Sequence, residues 1–374
     1  MTATLHRGQA GPQQDSAGAG GTLSVHLGAL SAVPWRVMNR SRPTIMDVAR
    51  VAGVSRATVS RVINRAPGAS DQLRARVEAA VAELGFLPDP TARALASGRH
   101  RAVDVVAFAC GPPDIRWLGA DPYYSRVLSG MMSLLQAQDV QMRIHAVNGD
   151  NGPGEIDAIA ERVTVGAVLT SLPPDLASRF YSRCRQVVSL VATSPVVPAI
   201  EADNAGGTRA AVEHLYALGR RRIAAVHGPK DNTCATARRE GYLNAMADLG
   251  LAPIETHSHF MRESGRAAAR ELLERRPDLD AMVVASDLMA AGVVQAITAS
   301  GRSVPHDVAL VGFDDSIAAE CANPPLTTMR VPVEEMAAAA TRLLLTGDVP
   351  PGHRQYFPVE LVQRESAGHR AGSA

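Results

Sequence analysis

The chain has almost no lysine. Of its 38 basic residues only Lys230 is one; the rest are arginine. A nucleotide-binding G-x-x-x-x-G-K loop is thereby excluded, and Schiff-base chemistry has a single candidate. Cysteine is sparse as well. Cys110, Cys184, Cys234 and Cys321 lie far apart, with no C-x-x-C pair and no histidine at metal spacing. That pattern fits buried thiols in a reducing compartment rather than a disulfide scaffold or a zinc ribbon. No apolar run reaches the length needed to cross a membrane. Excess charge is missing too, at +1 over 374 residues, which rules out a polybasic chain. The charge is nevertheless uneven. Residues 40–99 hold ten arginines against five acids, a basic module on a near-neutral body. The length exceeds one small core and implies two or three domains.

What is present begins at residues 44–64, TIMDVARVAGVSRATVSRVIN. Ile45, Val48, Ala49 and Ala52 recur at the spacing of one helical face. Thr44 with Asp47 three residues on forms a capping box, and Gly53 breaks the pattern. Ser55 is a natural N-cap for a second helix, in which Val59, Val62 and Ile63 face inward. Two short helices across a tight glycine turn make a helix-turn-helix. By spacing alone an ordinary αα-hairpin with a solvated arginine face fits equally well. A third helix is expected from Ser70 to Gly85, with Leu73, Val77, Ala80, Val81 and Leu84 inward. After it, Asp89, Pro90 and Gly98 bracket a helix under three turns long, too short to stand alone in water.

From residue 103 the texture changes. Strand-like runs at 103–108, 140–147, 165–170, 186–191, 222–227, 281–285 and 308–313 alternate with helix-like runs at 123–138, 205–218, 235–249, 264–275 and 287–300. Such alternation predicts parallel sheets covered on both faces. Its length predicts two doubly wound subdomains, with a first crossover near 198–203. Ligands in such sheets sit beyond the carboxyl ends of the strands.

The string T-I-x-D-V-A-x-x-A-G-V-S-x-x-T-V-S-R-V-I-N closely resembles the DNA-binding head of the lactose repressor/galactose repressor family of bacterial transcription regulators. The resemblance continues to about Ser366. It implies an all-α helix-turn-helix DNA-binding head plus hinge helix, joined to an α/β two-lobed effector domain like the periplasmic binding proteins. The expected divisions are an extension or disordered segment at 1–40, head at 41–87, hinge at 88–99, effector and dimerisation domain at 100–366 and tail at 367–374. Family members usually begin just before the first helix, so Met38 is the expected native start. The apolar patch at 23–35 is broken by His26 and Pro34 and runs straight into the DNA-reading segment, so it is not a signal peptide.

The resemblance also implies roles. Arg56, Ala57 and Arg61 would read bases in the major groove, where arginine recognises guanine and alanine packs a thymine methyl. Thr44, Ser55, Thr58, Ser60 and Asn64 would face DNA beside them. Leu95 matches the wedge leucine that opens a minor-groove step, with Ala92 and Arg93 on the same segment. Ala96 departs from the basic residue common after the wedge. The partner would be double-stranded DNA carrying a pseudo-palindromic operator, bound by a homodimer, possibly a tetramer, in the cytoplasm with no membrane. The absence of a terminal heptad run favours the dimer.

For the effector cleft, Asp121-Pro-Tyr-Tyr124 resembles the family's N-P-F-F segment, so Tyr123 or Tyr124 would stack on ligand; the alternative is that one of them packs in the core. The loop from Gly228 to Tyr242 matches G-P-x(8)-R-x-x-G-[FY], which places Arg238 on the effector-binding arginine and Asn232 and Cys234 at variable loop positions. Phe260 matches an apolar wall. Asp287 either caps the helix it begins or touches ligand, and Asp314, in Gly-Phe-Asp-Asp, falls on the ligand-binding aspartate. No cofactor or metal is expected. A transport protein would carry an export signal and no head; a dinucleotide enzyme would open a body helix with G-x-G-x-x-G. Neither pattern is met. A DNA protein with a degenerate cleft would lack Arg238 or Asp314. The effector implied by the resemblance is a sugar or nucleoside that releases DNA.

Overall fold

The computed structural model describes residues 43–64, 68–87, 101–108, 119, 121–147 and 153–368. The hinge expected at 88–99, with Ala92, Arg93 and Leu95, lies outside them, as do the first 42 residues and Cys110.

The head is three helices: α1 (Ile45–Ala52), α2 (Arg56–Ile63) and α3 (Asp71–Leu84). Each starts on the residue whose side chain can cap it. Thr44 accepts from the Asp47 N–H at 3.3 Å while the Asp47 carboxylate accepts from the Thr44 N–H at 2.9 Å, the reciprocal box that satisfies two free donors. Ser55 and Ser70 cap α2 and α3 in the same manner. Gly53 turns the chain at φ 61°, a left-handed geometry that costs glycine nothing. Val48, Ala49, Ala52, Val59, Val62, Val77 and Ala80 close the core. Phe86, which the helix pattern did not include, folds back into it.

The body has two sheets. In lobe 1, β1 (Ala102–Phe108), β2 (Gln141–Val147), β3 (Gly166–Thr170), β4 (Val187–Ser189), β5 (Ala199–Ala202) and β11 (Arg354–Phe357) stand in the order β11-β5-β4-β3-β1-β2, all parallel. In lobe 2, β6 (Ile223–His227), β7 (Ile254–His257), β8 (Ala281–Val284), β9 (Ala309–Asp314), β10 (Thr327–Arg330) and β12 (Glu360–Val362) stand in the order β12-β10-β9-β8-β6-β7. Only β12 runs antiparallel, against β10. Near-continuous Val, Ala, Leu and Ile in β1, β3, β6 and β8 match strands buried on both faces.

Helices α4 (Pro122–Ala137), α5 (Pro153–Ala160), α6 (Pro174–Arg183), α7 (Asn204–Ala217), α8 (Thr233–Asp248), α9 (Arg262–Arg275), α10 (Asp287–Ala299), α11 (Ile317–Cys321) and α12 (Val333–Thr346) cover these sheets. One apolar cluster runs through both lobes and includes residues of α4, α7, α8 and α12; α5 with α6, and α9 with α10, seal the opposite faces. The chain crosses between lobes three times: from β5 into α7, from β10 into α12, and from β11 to β12. The first falls in the stretch expected to hold it. Helix α12, with Glu334 and Glu335 in its first turn and Gly347 as its left-handed cap, is not among the helix-like runs named from the sequence.

Candidate functional site

The site begins with strand ends. β6 ends at His227, and the loop after it leads into α8, capped by Asn232, whose side chain accepts from the Ala235 N–H at 3.0 Å. Two turns along α8 stands Arg238, buried, with its guanidinium held on every side. Its Nε donates to Asn204 Oδ1 at 2.8 Å, Nη1 donates to the Ala285 carbonyl, and Nη2 lies 3.4 Å from Asp314 Oδ1. Its Cζ sits 3.8 Å above the Phe313 ring, where the ring face favours a cation. Asn204 opens α7 at the first crossover, Ala285 follows β8, and Asp314 ends β9. One arginine therefore gathers the carboxyl ends of three strands and a crossover.

Asp314 adopts φ 112° and Asp315 φ 54°. Neither is glycine, so both conformations are imposed by their surroundings. Burial pushes the Asp314 carboxyl up, against the pull of Arg238 and Arg126. Burial also opposes the charge of Asp315, but Arg330 and Arg364 outweigh it, each donating at 2.7 Å, and hold that carboxyl below its usual range.

Lobe 1 supplies the facing wall. Asp121 caps α4, accepting from the Tyr123 N–H at 2.9 Å. Burial lifts its carboxyl to about 7, a shift that the nearby Asp314 increases and Arg238 reduces. Burial also raises the Tyr123 hydroxyl, followed in effect by Cys234, Asp121 and Asp314. These groups stand near enough to influence one another's charge across the cleft. The two tyrosines differ in burial. Tyr124 is buried and its hydroxyl donates to the Phe108 carbonyl at 3.1 Å, whereas Tyr123 stands edge-on to it, half-buried. Burial pushes the Cys234 thiol up, so it is no activated nucleophile. Phe260 lies over Gly228, where a Cβ would come within 2.5 Å of its ring.

One sequence expectation is corrected. Asp287 does not cap α10; Ser286 does, accepting from the Met289 N–H at 3.3 Å. Asp287, the first helical residue, is fully buried and accepts from Thr328 Oγ1 at 2.6 Å and from the Ser316 N–H at 2.8 Å. Its carboxylate fastens the loop behind Asp314 and does not face the cleft. Asn232, placed by the resemblance in the effector loop, also caps α8. Sequence reasoning missed Asn204, which looked like an ordinary helix start, and Arg126, described below. His257 ends β7. With Pro229, Lys230, Ala235, Thr236 and Arg239 it lines a hollow at the outer edge of lobe 2. Among the described residues no group of three His, Cys, Asp or Glu could hold a metal ion. None of their helices is long and apolar enough to cross a membrane.

In the head, Thr44, Ser55, Arg56, Ala57, Arg61 and Asn64 are exposed and Thr58 and Ser60 half-exposed, so α2 presents its amino-terminal turn and one flank. Asn64 donates to Ser60 Oγ at 3.3 Å, and Thr58 Oγ1 lies 2.9 Å from Ser55 Oγ.

A helix-turn-helix head joined to a two-lobed binding fold defines the class of ligand-responsive DNA-binding regulators. Residues 44–89 match the family model "Bacterial regulatory proteins, lacI family", and residues 212–367 match "Periplasmic binding protein-like domain". The transcriptional regulator CelR of Thermobifida fusca is 36% identical over 87% of this chain and 99% of its own. The lactose operon repressor of Escherichia coli is 31% identical over 86% and 90%. Among solved structures, a CelR–cellobiose complex matches with TM-score 0.65 and 34% identity over 87% of this chain and all of that one, 100%. A lac repressor dimer bound to operator and an anti-inducer matches with TM-score 0.64 and 29% identity over 87% and 99%. The chain belongs to the LacI family, and it is a DNA-binding transcriptional regulator.

Proposed function

We propose that this regulator is a repressor whose grip on its operator is released when a neutral, hydroxyl-rich sugar enters the cleft, and that cellobiose is the first sugar to test. The observation that carries this reading is the Arg238–Asp314 pair of lobe 2, opposed by Asp121 and Tyr123 of lobe 1. A guanidinium beside a carboxylate grips vicinal hydroxyls by donating and accepting at once. An aromatic face supplies the apolar side that a sugar ring also presents. The charge of Arg238 is already matched by Asp314, which disfavours a phosphorylated or acidic effector. The relative crystallised with cellobiose supports the choice of probe.

In the head, Arg56, Ala57 and Arg61 read bases, with Thr44, Ser55, Thr58, Ser60 and Asn64 against the backbone, as a homodimer on a two-fold site. The hinge at 88–99, with Ala92, Arg93 and Leu95, extends this reading into the minor groove. The protein works in the cytoplasm as a regulator and not as an enzyme, a reading supported by relatives that are transcriptional regulators. The test is operator binding at fixed salt to a site selected from random DNA, with and without cellobiose. Weaker binding with the sugar is the expected result. Operator binding unmoved by cellobiose, maltose and ribose overturns the effector reading.

A further inference from the structure

A second arginine ties the Arg238–Asp314 pair to the opposite lobe. Arg126 lies in the second turn of α4, in lobe 1, with 17% of its side chain exposed. Its Nε and Nη2 donate to Glu334 Oε1 and Oε2, each at 2.7 Å. Its Nη1 donates to the Asp314 carbonyl at 2.7 Å, and Nη2 also reaches the Val331 carbonyl at 2.9 Å. The three acceptors have different places in the fold. Asp314 ends β9 in the cleft, Val331 follows β10, and Glu334 lies in the first turn of α12, where the chain returns to lobe 1.

The close fit has a cause in sequence. Gly130 lies one turn further along α4, and a Cβ there would meet the Glu334 carbonyl at 2.3 Å and its Cα at 2.8 Å. The missing side chain lets α12 come in far enough for Glu334 to pair with Arg126. The planar fork of arginine then serves a carboxylate on one edge and two carbonyls on the other, a task beyond a point-charge ammonium.

What this does to Asp314 follows from its backbone. Asp315 and Ser316 are held from within lobe 2, by Arg330, Arg364 and Asp287. The Asp314 carbonyl is held by the Val331 N–H at 3.3 Å and, across the cleft, by Arg126 at 2.7 Å. With φ at 112°, the direction of its carboxylate depends on those bonds.

We propose that Arg126 is a positioning residue of the sensor: from lobe 1 it sets the orientation of Asp314, so that effector affinity depends on how the two lobes stand. This rests on the reading that Arg238 and Asp314 hold the effector. A ligand biases an equilibrium only through different affinity for its two states, and Arg126 supplies such a difference at the gripping residue.

The experiment uses the full chain and three variants: Arg126→Gln, Arg126→Lys, and the exchange Arg126→Glu with Glu334→Arg. Cellobiose binding is measured by calorimetry, sugar-free operator binding by anisotropy at fixed salt, and protection of the Asp315 and Val331 amides by hydrogen exchange. Arg126→Gln is expected to weaken cellobiose by about tenfold, while sugar-free operator affinity stays within about threefold. Arg126→Lys recovers part of the loss. The exchange variant restores the ion pair but turns a carboxylate toward the two carbonyls, so neither sugar affinity nor amide protection returns. Full recovery of both in the exchange variant overturns the proposal, because Arg126 would then serve only to hold Glu334. Arg238→Ala separates the two readings. If it binds cellobiose like the unmodified protein, or if the unmodified protein binds none, the effector reading falls and amide protection in the exchange variant alone decides the role of Arg126.

Discussion

The head and the cleft solve the same problem, satisfying polar groups around a small core, over different reaches of chain. In the head, Thr44 bonds Asp47 and Ser55 bonds Thr58, each three residues away. Among the described residues the longest bond there, from Arg76 to the Ala52 carbonyl, spans 24 residues. In the cleft, Arg238 reaches back 34 residues to Asn204 and forward 47 to Ala285, and Arg126 reaches 188 to Asp314 and 208 to Glu334. Short-range bonds leave a spacing that can be read in the string. Long-range ones arise only once two sheets and three crossovers have brought their ends together. The head therefore behaves as a local structure and the cleft as a product of topology, and the two should fail independently.

The largest expected effect tests that independence. Arg238→Ala leaves the Asp314 carboxyl and the Asn204 amide without their buried partner, and losing one side of a buried charge pair costs roughly 3–5 kcal/mol. Sugar binding should vanish while sugar-free operator affinity holds. Calorimetry and anisotropy on one preparation check both. Loss of operator binding at the same time would join the two regions.

Next is the acid response of lobe 2. His227 is 3% exposed, and burial, only partly opposed by Glu255, brings its imidazole down to about 4. Around it stand Glu255 at 3.0 Å, His257, Arg239 and Tyr242. Its unfolded value is near 6.5, so the unfolded chain binds the extra proton first. Stability from this group is complete above pH 6.5 and is lost as pH falls toward 4, by at most about 3 kcal/mol. Melting followed from pH 7 to 4 should show the loss, and His227→Gln should flatten it. An unchanged slope in that variant would move the acid sensitivity elsewhere.

Smaller again, and confined to the head, is Arg61→Ala. Arg61 is exposed at the last turn of α2. A base-reading arginine contributes about 1–3 kcal/mol and its loss relaxes one operator position. Equal weakening on random DNA would assign Arg61 to phosphate.

The same contrast explains what could be read from the chain alone. The three head helices, with Thr44, Ser55, Ser70, Gly53 and Gly85 at their ends, were all legible, because each cap is a local pairing of residue type with backbone geometry. Most body strands were legible as apolar runs, as was the first crossover. The string around Arg238 and Asp314 pointed to both, yet their support was hidden. Asn204 looks like any helix start, Arg126 like any polar residue on α4, and Asp287 like a cap. In the fold its carboxylate turns away from its own helix, to Thr328 and Ser316. Nothing within a few residues of these positions encodes a partner 29, 41 or 188 positions away.

The smallest effect sharpens the contrast most. Thr44→Ala removes the acceptor for the Asp47 N–H and one partner of the Asp47 carboxylate. N-cap replacements of this kind cost about 1 kcal/mol, and here the loss should stay within α1. Asp47 is held near 2, first by Arg50 and then by Thr44, so the box persists at neutral pH. It weakens only as pH falls below the ordinary 3.8 toward about 2. Hydrogen exchange should therefore quicken at α1 amides in the variant and leave α4, α8 and the Asp314 loop at their original protection. Quickened exchange in the lobes would mean that the head's local bonds also bear on the cleft, and the two regions would no longer be separable by reach.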